Sequence, residues 1–273
     1  MARLGLGILA ALLLACAPAL AASCIPGTPS ARSPSLVALP DSYWRALPAW
    51  SDMSEGDRDL LARVSIVQRN TRALNSRLTF SNEVPRNVVP LATAPGESFM
   101  ADGAVKLDAM ALAARAYLRS LDANSAFYIS DGFRSYAVQL ETWPRNLRKY
   151  LGRIRDQLHP DPDGHYGDDD VCTLRAYAGS HYAFPGYSHH QSGRAADIHA
   201  RLGDTPELNS DSGGDNIRRW CKSEIFAWLH KNARTYGFVQ AKIDEPWHWV
   251  YDPDAAKTSQ ADRVATSCQG AVK

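Results

Sequence analysis

Apolar residues recur at helical spacing in three stretches of the chain. Leu60, Leu61, Val64, Val67 and Leu74 fall on one side of a helical wheel, the period that lays one helix face on a core. Ser54-Glu55-Gly56-Asp57 supplies the start, with acidic residues in the first turn. Leu107, Met110, Ala111, Ala114, Leu118 and Leu121 form a second stripe, closed by Asn124. Ile225, Trp228, Leu229 and Ala233 form a third, ended at Tyr236-Gly237-Phe238, where Gly237 takes the C-terminal capping role. Phe127-Tyr128-Ile129 reads as a short buried strand broken at Gly132. Ser135 can cap a helix through Tyr136, Gln139 and Leu140, which Pro144 must kink or end. Ala195, Asp197 and His199 alternate with Ala196, Ile198 and Ala200, a period of two with one apolar face and Asp197 on the other. Strand-like residues then follow Gly237 up to Tyr251.

Pro85, Pro90 and Pro95 punctuate an irregular stretch, and Ile25 to Ser35 reads as a linker. The acidic segment from Asp161 to Asp170 reads as a solvated loop, because the Glu that an EF-hand needs is missing. Helices and strands mix without βαβ alternation, so the expected class is α+β.

The 273 residues carry a formal net charge of +1. Bulk charge therefore draws the chain to neither nucleic acid nor anionic lipid, and any substrate must be read by a local site. At the start, Arg3, the apolar run Leu4 to Leu14 and the small-x-small site Ala19-Leu20-Ala21 read as an export signal. A second reading is a lipoprotein, with Cys16 after Leu13-Leu14-Ala15. Either way the protein is expected in the periplasm or outside the cell, with no stable membrane span once the signal is removed. Cleavage leaves Cys24, Cys172, Cys221 and Cys268, an even set suited to disulfides in an oxidising compartment. Sequence does not determine the pairing; the reading adopted is Cys172 with Cys221 and Cys24 with Cys268.

Three segments concentrate chemistry. Ser188-His189-His190-Gln191-Ser192-Gly193-Arg194-Ala195-Ala196-Asp197 offers nitrogen and oxygen ligands of the kinds zinc accepts, with Gly193 permitting a turn between them. In Glu245-Pro246-Trp247-His248, Pro favours a β-turn that brings Glu245 and His248 to one place. In Ser130-Asp131-Gly132-Phe133-Arg134-Ser135-Tyr136, Arg134 lies just past a strand end, where a guanidinium can grip a carboxylate in two places. Each segment alone also suits an ordinary surface.

Together they resemble the VanY-type M15 metallopeptidases, within the LAS group that includes hedgehog domains. Ser188, His190, Gly193, Ala195 and Asp197 meet one family pattern. Glu245, Trp247 and His248 meet a second; Gly132, Phe133, Arg134, Ser135 and Gln139 meet a third. The resemblance runs from about Phe127 to Tyr251 and implies a small central antiparallel sheet flanked by helices, here with a mainly helical N-terminal extension. It implies one zinc ion per chain on His190, Asp197 and His248, with Glu245 as general base. It also implies Arg134 on a substrate carboxylate, with Gln139 and Ser188 on the substrate backbone. The implied reaction is hydrolysis of D-alanyl-D-alanine or related bonds in peptidoglycan peptides. Asp131 stands where relatives commonly carry a small hydroxyl residue. His189 and His199 are rival ligands; His189 misses the spacing, and His199 is kept as a group supporting the ligands.

The expected division is a signal over 1–21, a linker and helical extension over 22–95, a zinc peptidase domain over 96–255 and a tail over 256–273. Ser-x-x-Lys, Gly-x-Ser-x-Gly and His-Glu-x-x-His are absent, which removes the serine routes and the zincin helix. Two alternatives stand beside the carboxypeptidase. One is an endopeptidase of the same fold cutting L-alanyl-D-glutamate or cross-link bonds. The other is a non-catalytic, zinc-containing binding module, which would not need Glu245.

Overall fold

The computed structural model describes residue 24, residues 50–75, 81–240 and 245–255, and residue 268. The expected signal, the linker and nearly all of the tail lie outside the described residues. Helix α1 spans Glu55–Asn75 and begins as the sequence predicts, with Ser54 Oγ accepting from the Asp57 amide at 3.0 Å. A two-stranded antiparallel ribbon, β1 (Val88–Pro90) and β2 (Ser98–Met100), leads into α2 (Ala101–Leu121). Strand β3 (Ala126–Asp131) and helix α3 (Tyr136–Ile154) follow, then α4 (Asp168–His181), β4 (Ala195–Arg201), α5 (Gly214–Cys221), α6 (Glu224–Asn232), β5 (Phe238–Gln240) and β6 (His248–Tyr251). The class is α+β, as expected.

The main sheet is antiparallel throughout, in the order β3-β4-β6-β5. Its apolar face carries Phe127, Ile129, Ala196, Ile198 and Ala200, packed with α2 and α6 into one core. The α2 stripe is buried from Leu107 to Leu118, but Leu121, the last helical residue, is 48% exposed. On the polar face, register decides which groups meet. A bulge shifts β3 between Ile129 and Asp131, so Asp131 pairs with Asp197 on β4, and Asp197 pairs with His248 on β6. Directly opposed residues of antiparallel strands share a face, so these three side chains form one row across the sheet. Tyr128 and His199 form another row, two residues further along β4.

A second core joins α1, α3 and α4 through Leu60, Leu61, Val64, Trp143, Leu147 and Leu174. It narrows one expectation and corrects another. Of the kink or end expected at Pro144, the end does not occur: α3 continues to Ile154 because Trp143, Leu147, Tyr150, Leu151 and Ile154 are all buried along it. Nor is the acidic segment all solvated loop. Asp168, Asp169 and Asp170 form the first turn of α4, and Asp170 accepts from the amides of Gly167 (3.0 Å) and His159 (2.8 Å). Acidic groups suit that end of a helix dipole.

The disulfides are Cys24–Cys172 and Cys221–Cys268, with Cα separations of 5.5 and 5.1 Å. The expected pairing of Cys172 with Cys221 is therefore wrong. Cys172 rides on α4 beside the helical core, whereas Cys221 ends α5 in the sheet core. Each bridge ties one chain end to a different core. No helix among the described residues is long and apolar enough to cross a membrane.

Candidate active site

His190 stands on a 3-10 turn, His189–Ser192, that Ser188 caps by accepting from the His190 amide at 3.2 Å. Gly193 ends the turn at φ 68°, a conformation suited to glycine. The His190 backbone carbonyl accepts from the Arg134 amide at 3.1 Å, which joins the first and third motifs. The ring is fixed as well. Nδ1 donates to the Gly132 carbonyl at 2.7 Å and leaves Nε2 to face inward. Glu97 accepts from the Gly132 amide at 2.7 Å and so braces the same peptide. The turn at Pro246 forms as expected, with the His248 amide donating to the Glu245 carbonyl at 3.0 Å. Trp247 is buried beneath it.

These supports bring His190 Nε2, His248 Nδ1 and Asp197 Oδ1 together. The two nitrogens lie 3.2 Å apart, at 3.5 Å (His190) and 2.9 Å (His248) from the carboxylate oxygen. In a tetrahedral zinc site with bonds of about 2.0–2.1 Å, ligand atoms stand about 3.3 Å apart. The triangle therefore fits that ion, and it is the one His/Cys/Asp/Glu group of suitable geometry among the described residues. Burial opposes charge on Asp197, but His190 and His248 outweigh it and hold the carboxyl far below its ordinary range. Burial lowers His248, whereas on His190 the Asp197 carboxylate overcomes burial and raises the ring. Glu245 is raised well above the usual carboxylate value by burial and then by the Asp197 charge, with Arg134 opposing.

Arg134 is held on three sides. Nη1 donates to Gln139 Oε1 at 2.9 Å and to the Tyr182 hydroxyl at 2.7 Å, and Nη2 is ion-paired with Asp131. The guanidinium also lies over the Tyr182 ring, 5.2 Å from its centre. Burial opposes its charge, but Asp131, Tyr182 and Asp197 more than compensate. Gln139 is fully buried, and its Nε2 donates to the Ala183 carbonyl at 2.7 Å. Its visible work is to aim Arg134, just as Ser188 visibly caps the His190 turn. Tyr150 on α3 is buried nearby, its phenol raised by burial and then by the Glu245 charge. His199 is turned elsewhere, to Tyr128, Glu207 and Ser210. Sequence reasoning missed Glu97, Tyr150 and Tyr182. Glu97 and Tyr182 act through backbone or side-chain bonds that no spacing signals.

An enclosed His-Asp-His set of donors that zinc accepts, a carboxyl group with a raised pKa and a fixed guanidinium share one site. Residues 102–254 match the family model VanY, described as D-alanyl-D-alanine carboxypeptidase. That is more than half of the chain, and the protein belongs to this family of zinc-dependent peptidases. Among solved structures, VanYB in complex with D-alanine-D-alanine is similar at 20% identity, over 67% of this chain and 87% of that one, with a TM-score of 0.43. A mutant of the vancomycin resistance D,D-pentapeptidase VanY in complex with Zn(II) is similar at 21% identity, over 66% and 90%, with a TM-score of 0.40. The LdcB LD-carboxypeptidase is similar at 19% identity, over 67% and 72%, with a TM-score of 0.40. No curated protein matches the chain.

Proposed function

We propose that this enzyme removes the terminal D-alanine from peptidoglycan stem peptides, with one zinc ion held by His190, Asp197 and His248. The observation that carries the reading is the donor triangle of 2.9, 3.2 and 3.5 Å beside the carboxyl of Glu245. Three protein ligands leave a fourth position for water or substrate, as catalytic rather than structural sites do. Bound there, zinc supplies a Lewis acid that polarises the scissile carbonyl and makes water more acidic.

The chain's own groups do the rest. Arg134 receives the terminal carboxylate and fixes the end of the peptide. Glu245, as the carboxylate, takes a proton from the attacking water. The same proton then passes to the leaving D-alanine nitrogen as the C–N bond breaks, which returns Glu245 to its basic form. A buried carboxyl with a raised pKa suits both directions of that transfer. The protein is placed outside the cytoplasm by its proposed signal, a setting consistent with two disulfides.

One feature supports a second reading. Arg134 already carries the carboxylate of Asp131, so an endopeptidase that needs no free terminus fits the same site. Defined pentapeptides, with products read by mass, decide between them. Loss of a single alanine is expected; internal fragments would establish the endopeptidase. No product from any wall peptide would leave a binding module. Glu245→Gln should retain zinc while turnover falls on the order of 10²-fold or more. His190→Ala and His248→Ala should lose the metal itself.

A further inference from the structure

The polar face of the sheet continues past the metal donors. On it, Tyr128 and His199 occupy the row next to Asp197, about 7 Å along β4 at two residues per repeat. Both side chains converge on Glu207. The Tyr128 hydroxyl donates to Glu207 Oε1 at 2.6 Å. The Ser210 amide donates to His199 Nε2 at 3.1 Å, so the ring proton sits on Nδ1 and is given to the same Oε1 at 3.0 Å. Burial and then the Glu207 charge push the Tyr128 phenol up to about 12, so it stays a donor at neutral pH.

This cluster is not a second nucleophile site, although Ser210 Oγ lies 3.2 Å from His199 Nε2. The lone pair that would activate the hydroxyl already accepts the Ser210 amide. The cluster instead holds one carboxylate still. Its other oxygen, Oε2, has no hydrogen bond among the described residues, and the Glu207 side chain is 41% exposed. Nearby cations are committed elsewhere: Arg153 and Lys149 to Asp211, and Arg219 to the carbonyls of Pro206 and Glu207.

Order along the face gives the cluster a place on the substrate. Arg134 lies past the end of β3, the row of Asp131, Asp197 and His248 comes next, and Tyr128 with His199 lies beyond. A peptide with its carboxylate at Arg134 and its scissile bond at the donors must send its acyl side the other way. Two extended residues span about 7 Å, the distance to the second row.

We propose that Glu207, set by Tyr128 and His199, is an acyl-side subsite that takes a primary ammonium on the residue two ahead of the scissile bond. The inference rests on the hydrolytic reading above for the direction of the peptide. In a stem peptide the residue so placed is the diamino acid.

The test uses two pentapeptides, L-Ala-γ-D-Glu-L-Lys-D-Ala-D-Ala and the same peptide with its lysine acetylated. Turnover is measured with the zinc-loaded full chain. Binding is measured by calorimetry on the zinc-loaded Glu245→Gln chain, which separates recognition from cleavage. A partly exposed ion pair should favour the free ammonium about two- to fivefold in kcat/KM and in Kd. Glu207→Gln should bring both ratios near one, and Tyr128→Phe should reduce them partway. Equal cleavage of the two peptides by the wild type would overturn the subsite and leave the hydrolase standing. A preference that survives Glu207→Gln would overturn the assignment to Glu207. If neither peptide is cut, the hydrolytic reading fails, and the calorimetric ratio alone decides whether the subsite stands.

Discussion

On the proposed carboxypeptidase reading, the enzyme must recognise where its substrate ends, and that reading assigns the task to Arg134. A guanidinium has five N–H donors. Gln139, Tyr182 and Asp131 engage three of them, which leaves two, the number a bidentate carboxylate requires. A charge-assisted contact of that kind contributes about 1.5–3 kcal/mol, roughly ten- to a hundredfold in affinity or rate. The assay compares a peptide ending in free D-alanine with its terminal amide. Wild type should prefer the acid by that factor, Arg134→Ala should flatten the difference, and Arg134→Lys, which keeps charge but loses the fork, should be impaired too.

Asp131 sharpens the test. It holds Arg134 but also places a negative charge beside the incoming carboxylate. Two like charges about 5 Å apart repel by about 3 kcal/mol at an effective dielectric of about 20. The Asp131 side chain is 32% exposed, and solvent reduces this to about 1 kcal/mol. Gln139 and Tyr182 still aim the guanidinium without it. Asp131→Asn should therefore widen the acid-to-amide ratio about fivefold. Equal cleavage of acid and amide by the wild type would refute the role given to Arg134. A ratio that narrows in Asp131→Asn would show that Asp131 serves as a tether and not as a competitor.

Burial, the largest influence on Glu245, keeps its pKa well above the ordinary range. Activity needs the ionised base, so kcat/KM should fall as pH drops through that raised pKa, giving an acid limb above about 4.3. A limb at or below that value would contradict the role of Glu245. Asp57 on α1 pairs with Arg155 at 2.8 and 3.1 Å and accepts from Tyr166 at 2.9 Å; burial opposes its charge, but these partners depress its pKa. Asp57→Asn should cost about 1–3 kcal/mol in denaturant unfolding. A depressed folded pKa stabilises above the unfolded value of about 3.9 and is lost as pH falls through the folded one. The difference between Asp57→Asn and wild type should thus persist at pH 5 and shrink below pH 4; a gap that grew on acidification would rule out the ion pair as its source. Peptide mapping without reduction should recover Cys24 joined to Cys172 and Cys221 joined to Cys268; a Cys172–Cys221 fragment would contradict the fold.

Local patterns carried the parts of the site that depend on local geometry. The alternation around Asp197 predicts a strand with one apolar face, and Pro246 predicts the turn that brings Glu245 to His248; both form, although burial covers the polar face at Asp197 as well. The resemblance supplied the donor set, and the structure brings its three members together. What stayed hidden depends on contacts between distant segments. Three consecutive Asp residues look like solvated loop until Asp170 is seen bonding the amides of Gly167 and His159. With α4 unrecognised, Tyr182 just beyond it had no reason to face Arg134. Pro144 carries a strong local signal to break α3, but burial of the residues around and beyond it prevails. His199 shares a strand face with Asp197, and only the placement of Glu207 and Ser210 shows that its ring is engaged away from the donors.

The site lies where two cores meet, and the division of labour follows that seam. Asp197 and His248 come from adjacent strands of the sheet core, with Gly132, just past β3, orienting His190. Their spacing is set by strand register, which cannot change gradually, because a slip of one residue would turn Asp197 into the apolar core. The groups around Arg134 come from the helical core. Gln139, Thr142 and Tyr150 ride on α3, and Tyr182 follows α4, with its hydroxyl 2.6 Å from Thr142 Oγ1. That core is closed by α1, which lies outside the matched family region yet packs Leu60, Leu61 and Val64 against it. Ser65 accepts from Trp143 Nε1 at 2.9 Å, and Cys24 is bonded to Cys172 on α4. Changes in the N-terminal segment therefore reach Gln139, Tyr182 and the Arg134 they hold through α3 and α4, while the metal donors keep their own frame. On the proposed reading, a change in specificity can accumulate there without disturbing the sheet that presents the donors.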